Sequence, residues 1–169
     1  MKLEDIIQGI EITTVSGDTG GEVRDIVFDS RQAGAGSLFV AIRGYETDGH
    51  LFIGQALSNG AFAVICEDEP THKNPAVTWI RVKDSRRALA LAAAAFHGHP
   101  SRELHLVGVT GTNGKTTIAS LLHSLHTLLG FRSGLLSTIQ VLIGGEVHPA
   151  THTTPDPVRL NALLRQMVD

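Results

Sequence analysis

Lys115 and Thr116 stand near the end of the run Gly111-Thr112-Asn113-Gly114-Lys115-Thr116-Thr117, which combines two glycines, a cation and three threonine hydroxyls. Glycines let a backbone curl so that several N–H groups point inward. A lysine beside them brings a mobile positive charge, and a threonine hydroxyl can bind a divalent cation. Together these groups suit the phosphates of a nucleoside triphosphate: Lys115 would reach the β- and γ-phosphates and Thr116 would bind Mg²⁺. The longer pattern G-x-x-x-x-G-K-[ST] is not met, because Val109 stands five places before Gly114 and Gly108 is one place too early. The match is to the shorter form G-x-x-G-K-T-T, for which an ordinary surface turn is the competing reading.

The elements expected around this run favour the phosphate reading. The apolar run Leu104 to Val109 predicts a strand entering the loop. Ile118, Leu121, Leu122, Leu125, Leu128 and Leu129 recur at three- and four-residue spacing and predict a helix leaving it, with Gly130 as its C-terminal cap. A second apolar strand from Gly134 to Ile139, a Gly144-Gly145 turn and a helix near Pro157 to Val168 follow. Upstream, β-rich runs at Val23 to Asp29, Leu38 to Ile42, Ala61 to Ile65 and Val77 to Val82 enclose a helix at His50 to Asn59. Asp84 or Ser85 caps an alanine-rich helix from Arg86 to His97, which Gly98-His99-Pro100 breaks. The expected class is α/β: a small mixed domain over residues 1–102, then the start of a phosphate-loop domain with a parallel sheet over 103–169. Such a domain needs more strands than about 65 residues supply, so the chain reads as truncated, with the stripes begun by Ile118 and Leu160 left without partners.

Composition narrows the partners. With 169 residues, 42% of them hydrophobic, the chain can bury a core. A formal charge of −3 gives no general attraction to nucleic acid or to an anionic membrane, so phosphate must be held locally. The lone Cys66 lies among Ala61-Phe62-Ala63-Val64-Ile65 and reads as a buried, inert thiol. With no secretory signal and no apolar run long enough for a bilayer, the expected location is cytoplasmic.

Three ordered motifs resemble one family. Gly-Thr-Asn-Gly-Lys-Thr-Thr preceded by Val-Gly-Val-Thr is similar to the ATP loop of the Mur ligases, which build the peptide stem of bacterial peptidoglycan. Phe28-Asp29-Ser30-Arg31, Ser37 to Ala41 and Gly44-Tyr45-Glu46-Thr47-Asp48-Gly49-His50 resemble the family's first domain, where the uridine nucleotide sits. His152-Thr153-Thr154-Pro155-Asp156-Pro157 resembles the segment after the second strand of its ATPase domain, in the form found in the MurE type. That type adds the third residue of the stem.

The resemblance implies an ATP- and Mg²⁺-dependent amide ligase acting on UDP-N-acetylmuramoyl-L-Ala-D-Glu and a diamino acid, lysine or meso-diaminopimelate, and monomeric when complete. Transfer of the γ-phosphoryl group to the substrate carboxylate would give an acyl phosphate that the amine then attacks. Residues 111–117 would hold ATP, with Lys115 catalytic. Phe28 and Ser30 would contact the nucleotide, Tyr45, Glu46 and Thr47 would lie near uracil and ribose, and His152, Thr153 and Thr154 near the muramoyl-peptide end. Tyr45 and Glu46 depart most from common family versions. The family's carbamoylated lysine and amino-acid-selecting residues would lie past Asp169, so the chain alone is expected not to turn over.

Plainer readings stand beside these. Asp29 and Ser30 also suit a strand-end turn, and Thr153 and Thr154 a polar loop before a helix begun at Pro-Asp-Pro. The nine histidines show no recognised metal spacing, and His123 and His126 fall on the polar side of their helix. The competing readings are another ATP-dependent ligase with a similar loop, of folylpolyglutamate type or from elsewhere in the Mur group, against which the Phe28 to Arg31 and Tyr45 to His50 segments argue, and a non-catalytic nucleotide-sugar-binding module, which would bind no ATP.

Overall fold

Four apolar runs of the first hundred residues form the parallel part of one sheet. In the computed structural model, which describes residues 1–44, 47–149 and 155–169, these are β2 (Asp25–Val27), β3 (Ser37–Val40), β4 (Ala63–Cys66) and β5 (Thr78–Val82). β2 pairs with β3, β3 with β4 and β4 with β5, all parallel. An edge strand β1 (Ile12–Ser16) lies antiparallel to β5. Every residue of β3 and β4 is buried, as continuous apolar runs require when both faces of a sheet are covered.

Strand alternation sends Phe39, Val64 and Cys66 to one face, where Ile53 and Ala56 of α2 (Ile53–Ser58) close over them. Leu38, Val40 and Ile65 face the other way, where α3 (Ser85–Phe96) lies over β3 and β4 with α1 (Leu3–Ile7) against it. Ala88, Ala92 and Ala93 of α3 are fully buried, their small side chains allowing close approach. Asp84 caps α3 by accepting from the Arg87 amide at 2.9 Å. The expected helix at His50 to Asn59 begins as a 3-10 turn, Gly49–Phe52, and becomes α-helical only at Ile53.

The chain divides between Gly98 and His99 into two units. In the second, α4 (Lys115–Leu128) and α5 (Pro157–Val168) follow the expected periodicity. The Leu160 stripe is not left bare: Leu163 and Leu164 are buried, with α5 packed on the 3-10 turn Pro100–Arg102.

Two strand expectations here need correction. Leu104 to Val109 forms no strand, since no described residue pairs with it and Leu106 and Val107 are mostly exposed. An apolar run acquires ladder geometry only from a neighbour. The run from Gly134 to Ile139 gives only β6 (Leu135–Leu136) before bending at Ser137, whose amide and hydroxyl both donate to the Gln140 carbonyl at 3.0 and 2.9 Å. That bend sends the chain back antiparallel as β7 (Gln140–Ile143), and a two-residue Gly144-Gly145 turn, both φ positive, leads to β8 (Glu146–Pro149). The described strands of this unit are therefore antiparallel, and the parallel pairing belongs to the first unit. Among the described residues, no helix is long and apolar enough to cross a membrane.

Candidate functional site

Because β2 to β5 run parallel, the segments that follow them emerge at one edge of the sheet, the side on which open α/β sheets commonly bind ligands. Phe28 and Ser30 follow β2, and Thr47 follows β3 in the segment that begins at Gly44, so these three expected nucleotide contacts share that edge. Phe28 is half-buried and Thr47 exposed. Tyr45 and Glu46 lie outside the described residues, as do His152, Thr153 and Thr154.

Asp29 shows the strand-end turn directly. Its carboxylate accepts from the Arg31 amide at 3.0 Å and from the Arg31 guanidinium at 2.7 to 3.2 Å, capping the 3-10 turn Ser30–Gln32. The Arg31 side chain, then its amide, hold the Asp29 carboxyl below the usual carboxylate range. Ser30 is buried, and its hydroxyl donates to Gln55 Oε1 at 2.7 Å, while Asn59 Nδ2 donates to the Ser30 carbonyl at 2.9 Å. α2 thus fixes the Ser30 backbone and holds its hydroxyl proton. To donate to a phosphate, Ser30 must turn away from Gln55.

Sequence reading missed a polar network on the same edge. Arg43 pairs with Asp48 at 3.7 Å, with Glu67 at 3.5 Å and closely with Asp68. Glu67 Oε1 accepts from both the amide (2.9 Å) and the hydroxyl (2.8 Å) of Ser85, the first residue of α3. Burial alone would raise the Glu67 carboxyl, but the two Ser85 hydrogen bonds, with Arg43 nearby, bring it below the usual range. These residues come from three separated segments with no shared motif; only Asp48-Gly49-His50 offered a signal.

The glycine run forms the second candidate site. Gly114 caps α4 at φ 77°, in the left-handed region that favours glycine, and a Cβ there would meet nothing within 4 Å. The first helical bond runs from the Ile118 amide to the Gly114 carbonyl at 2.9 Å, so the amides of Lys115, Thr116 and Thr117 precede it. Among the described residues, no side chain caps this end. The Lys115 ammonium folds back onto the carbonyls of Gly111 at 2.6 Å and Thr112 at 3.3 Å. Open space over Gly114, uncapped amides and a lysine resting on neutral carbonyls fit a phosphate chain, for which charge-assisted bonds would replace the present ones. Thr116 is half-buried on the first turn of α4. Thr112, Asn113 and Thr117 are exposed on the same loop and turn.

The remaining chemistry-bearing side chains lie elsewhere. Among the described residues, no three His, Cys, Asp or Glu stand together as a metal site. His123 is bonded rather than free in solvent, its Nδ1 lying 3.1 Å from Ser133 Oγ. Cys66 is fully buried, and burial pushes its thiol up to about 11.

Two family profiles match this chain: one described as "Mur ligase family, catalytic domain" over residues 22–98, the other as "Mur ligase middle domain" over residues 109–169. A UDP-N-acetylmuramoyl-L-alanyl-D-glutamate--2,6-diaminopimelate ligase of Cytophaga hutchinsonii is 48% identical over 169 residues, spanning 99% of this chain and 35% of that protein. One of the same name from Geobacter sulfurreducens is 42% identical, spanning all of this chain and 33% of that protein. A solved structure of a ligase of this name matches with a TM-score of 0.77 at 28% identity, covering 99% of this chain and 33% of that one. The chain thus spans about a third of the length of the curated relatives it matches.

Proposed function

This chain belongs to the Mur ligase family, and on that premise we propose that it carries the uridine-nucleotide and ATP sites of a UDP-N-acetylmuramoyl-dipeptide ligase. In this reading the first unit binds UDP-N-acetylmuramoyl-L-Ala-D-Glu at its sheet edge and the second binds ATP at the glycine loop. The whole reaction joins a diamino acid to that dipeptide. The relatives reported above are named for 2,6-diaminopimelate, which favours it over lysine as the residue added.

One observation carries the reading: a left-handed Gly114 with open space over it starts a helix whose first three amides precede the first helical bond, and the Lys115 ammonium rests on carbonyls of the same loop. ATP supplies the activating phosphoryl group for the substrate carboxylate. The chain's part is positioning and charge neutralisation: residues 111–117 cradle phosphate oxygens, Lys115 offsets negative charge developing on the transferred group, and Thr116 orients Mg²⁺. Within the first unit, Phe28, Ser30 and the Gly44 to Thr47 loop hold the nucleotide end, with Tyr45 and Glu46 in that loop. His152, Thr153 and Thr154 are assigned to the muramoyl-peptide end. We place the complete ligase in the cytoplasm as a monomer, and expect residues 1–169 to bind without turnover.

Calorimetric titration with UDP-N-acetylmuramoyl-L-Ala-D-Glu tests the first site, with UDP-glucose as control and Ser30→Ala alongside. Selective binding, weakened in the variant, is the expected result. Equal affinity for both nucleotide sugars, or no loss in Ser30→Ala, would refute the assignment of the edge.

A further inference from the structure

Beyond Val40 the chain runs to Arg43 and folds back on itself. Arg43 and Asp48 form an isolated antiparallel bridge, the Gly44 amide donates to the Thr47 carbonyl at 2.9 Å, and the Gly49 amide donates to the Ile42 carbonyl at 2.9 Å. Two glycines are required here by crowding. A Cβ on Gly44 would lie 2.7 Å from the Thr47 carbonyl oxygen, and one on Gly49 equally close to that of Ile42.

His50 sits at the base of this loop with its side chain 11% exposed. Its Nδ1 lies 2.6 Å from Asp48 Oδ1, while its Nε2 faces the Glu67 amide at 3.0 Å and, less closely, the Asp68 amide at 3.4 Å. A backbone N–H can only donate, so Nε2 must be bare and the ring proton must reside on Nδ1. The imidazole therefore ties the residue that closes the loop to the first residues after β4. Arg43 spans the same gap with its guanidinium, and Glu67 carries the connection on to Ser85 at the start of α3. The His50 amide first, then its ring, hold the Asp48 carboxyl below its usual range, as expected of a carboxylate fully engaged in the loop's closure.

We propose that His50 is a positioning residue of the nucleotide site: as a neutral, Nδ1-protonated imidazole it fixes the backbone of Gly44 and Thr47 at the sheet edge before a uridine nucleotide arrives. This rests on the reading that the edge binds that nucleotide. Fixing both ends of the loop in the free protein removes ordering cost from binding, which is how a supporting shell raises affinity without touching the ligand.

The test uses the 169-residue chain. Imidazole ¹⁵N spectra should show His50 protonated on Nδ1, and amide exchange at Gly44 and Glu67 should quicken at least about tenfold in His50→Ala while Ile65 and Ile80 stay protected. Affinity for UDP-N-acetylmuramoyl-L-Ala-D-Glu should fall about tenfold in His50→Ala. His50→Gln, which can still accept from the Glu67 amide, should recover part of that loss, and it serves as the probe should the alanine variant fail to fold. The opposite tautomer, unchanged exchange at Gly44 and Glu67, or equal affinity in a variant whose exchange has quickened would each overturn the proposal. A wild-type chain with the expected tautomer and protection that binds none of the nucleotide would instead overturn the reading of the edge, and the proposal with it.

Discussion

In the first unit Leu38, Phe39, Val40, Val64 and Ile65 are fully buried, whereas α4 of the second buries no residue and leaves Ile118, Leu121, Leu125 and Leu128 at least half exposed. The two candidate sites differ in the same way. At the sheet edge, side chains from several segments hold one another through Arg43, His50, Glu67 and Ser85 over a covered core. At the glycine loop, position is set by backbone: a left-handed Gly114, a helix start and a lysine bonded to carbonyls of its own loop. A site built from many side chains depends on the packing beneath it. One built from backbone amides keeps its local shape wherever the loop and the helix start can form.

The largest expected effect breaks the second site while sparing the first. In a chimera joining residues 1–169 to the remaining two-thirds of the Cytophaga hutchinsonii relative, Lys115→Ala should lower ligase turnover by roughly a thousandfold or more, since phosphoryl transfer depends on neutralising charge on the moving group. Nucleotide-sugar affinity and the melting of the first unit should not change, because among the described residues Lys115 bonds only its own loop. Turnover within a few-fold of wild type would remove Lys115 from the chemistry.

A matched pair of leucines sharpens the contrast in packing. Leu38→Ala deletes a side chain with no exposed surface and should cost about 2–5 kcal/mol in denaturant unfolding of the first unit. Leu121 is 64% exposed, so Leu121→Ala should stay within about 0.5 kcal/mol, alanine's helix propensity offsetting what little contact is lost. Should Leu121→Ala cost as much as Leu38→Ala, α4 would be packed in solution and the contrast would fail.

How much of this was legible in the sequence follows from how local each feature is. α3, α4 and α5 announce themselves by period and caps. The end of α4 was readable in Gly130: its amide donates to Thr127 and that of Phe131 to His126, each at 3.0 Å, closing the helix as a terminal glycine implies. By contrast, α1 has five residues, too few for a period to show, and β1 is mostly exposed, so its Ile12-Thr13-Thr14-Val15-Ser16 carries little apolar signal. The run Leu104 to Val109 misled because apolarity reports what could pair, not whether a partner is present. The glycine loop is one continuous motif and could be read whole. The edge joins residues as far as 43 positions apart, with His50 to Glu67 and Arg43 to Arg86 among its distant pairs, and no single-sequence pattern records such pairs.

The smallest effect separates equal local energies by where they appear. Asp84 and Asp156 cap α3 and α5 in the same manner, each accepting from the amide three residues on at 2.9 Å. Truncating either to alanine should cost about 1 kcal/mol. α3 lies across β3 and β4, so the Asp84→Ala loss belongs to the cooperative unfolding of the first unit and should lower its midpoint by about 4–8 °C. α5 packs on a short 3-10 turn and buries only Asn161, Leu163 and Leu164 of its described residues, so Asp156→Ala should appear first as faster amide exchange in α5, with the first unit's midpoint unmoved. Serine at either position restores an acceptor and should recover most of the loss, which separates capping from any other role of the carboxylate. Were Asp156→Ala to lower the first unit's midpoint as far as Asp84→Ala does, the two units would unfold as one, and the contrast between a packed edge and a backbone-built loop would hold for the structure but not for its stability.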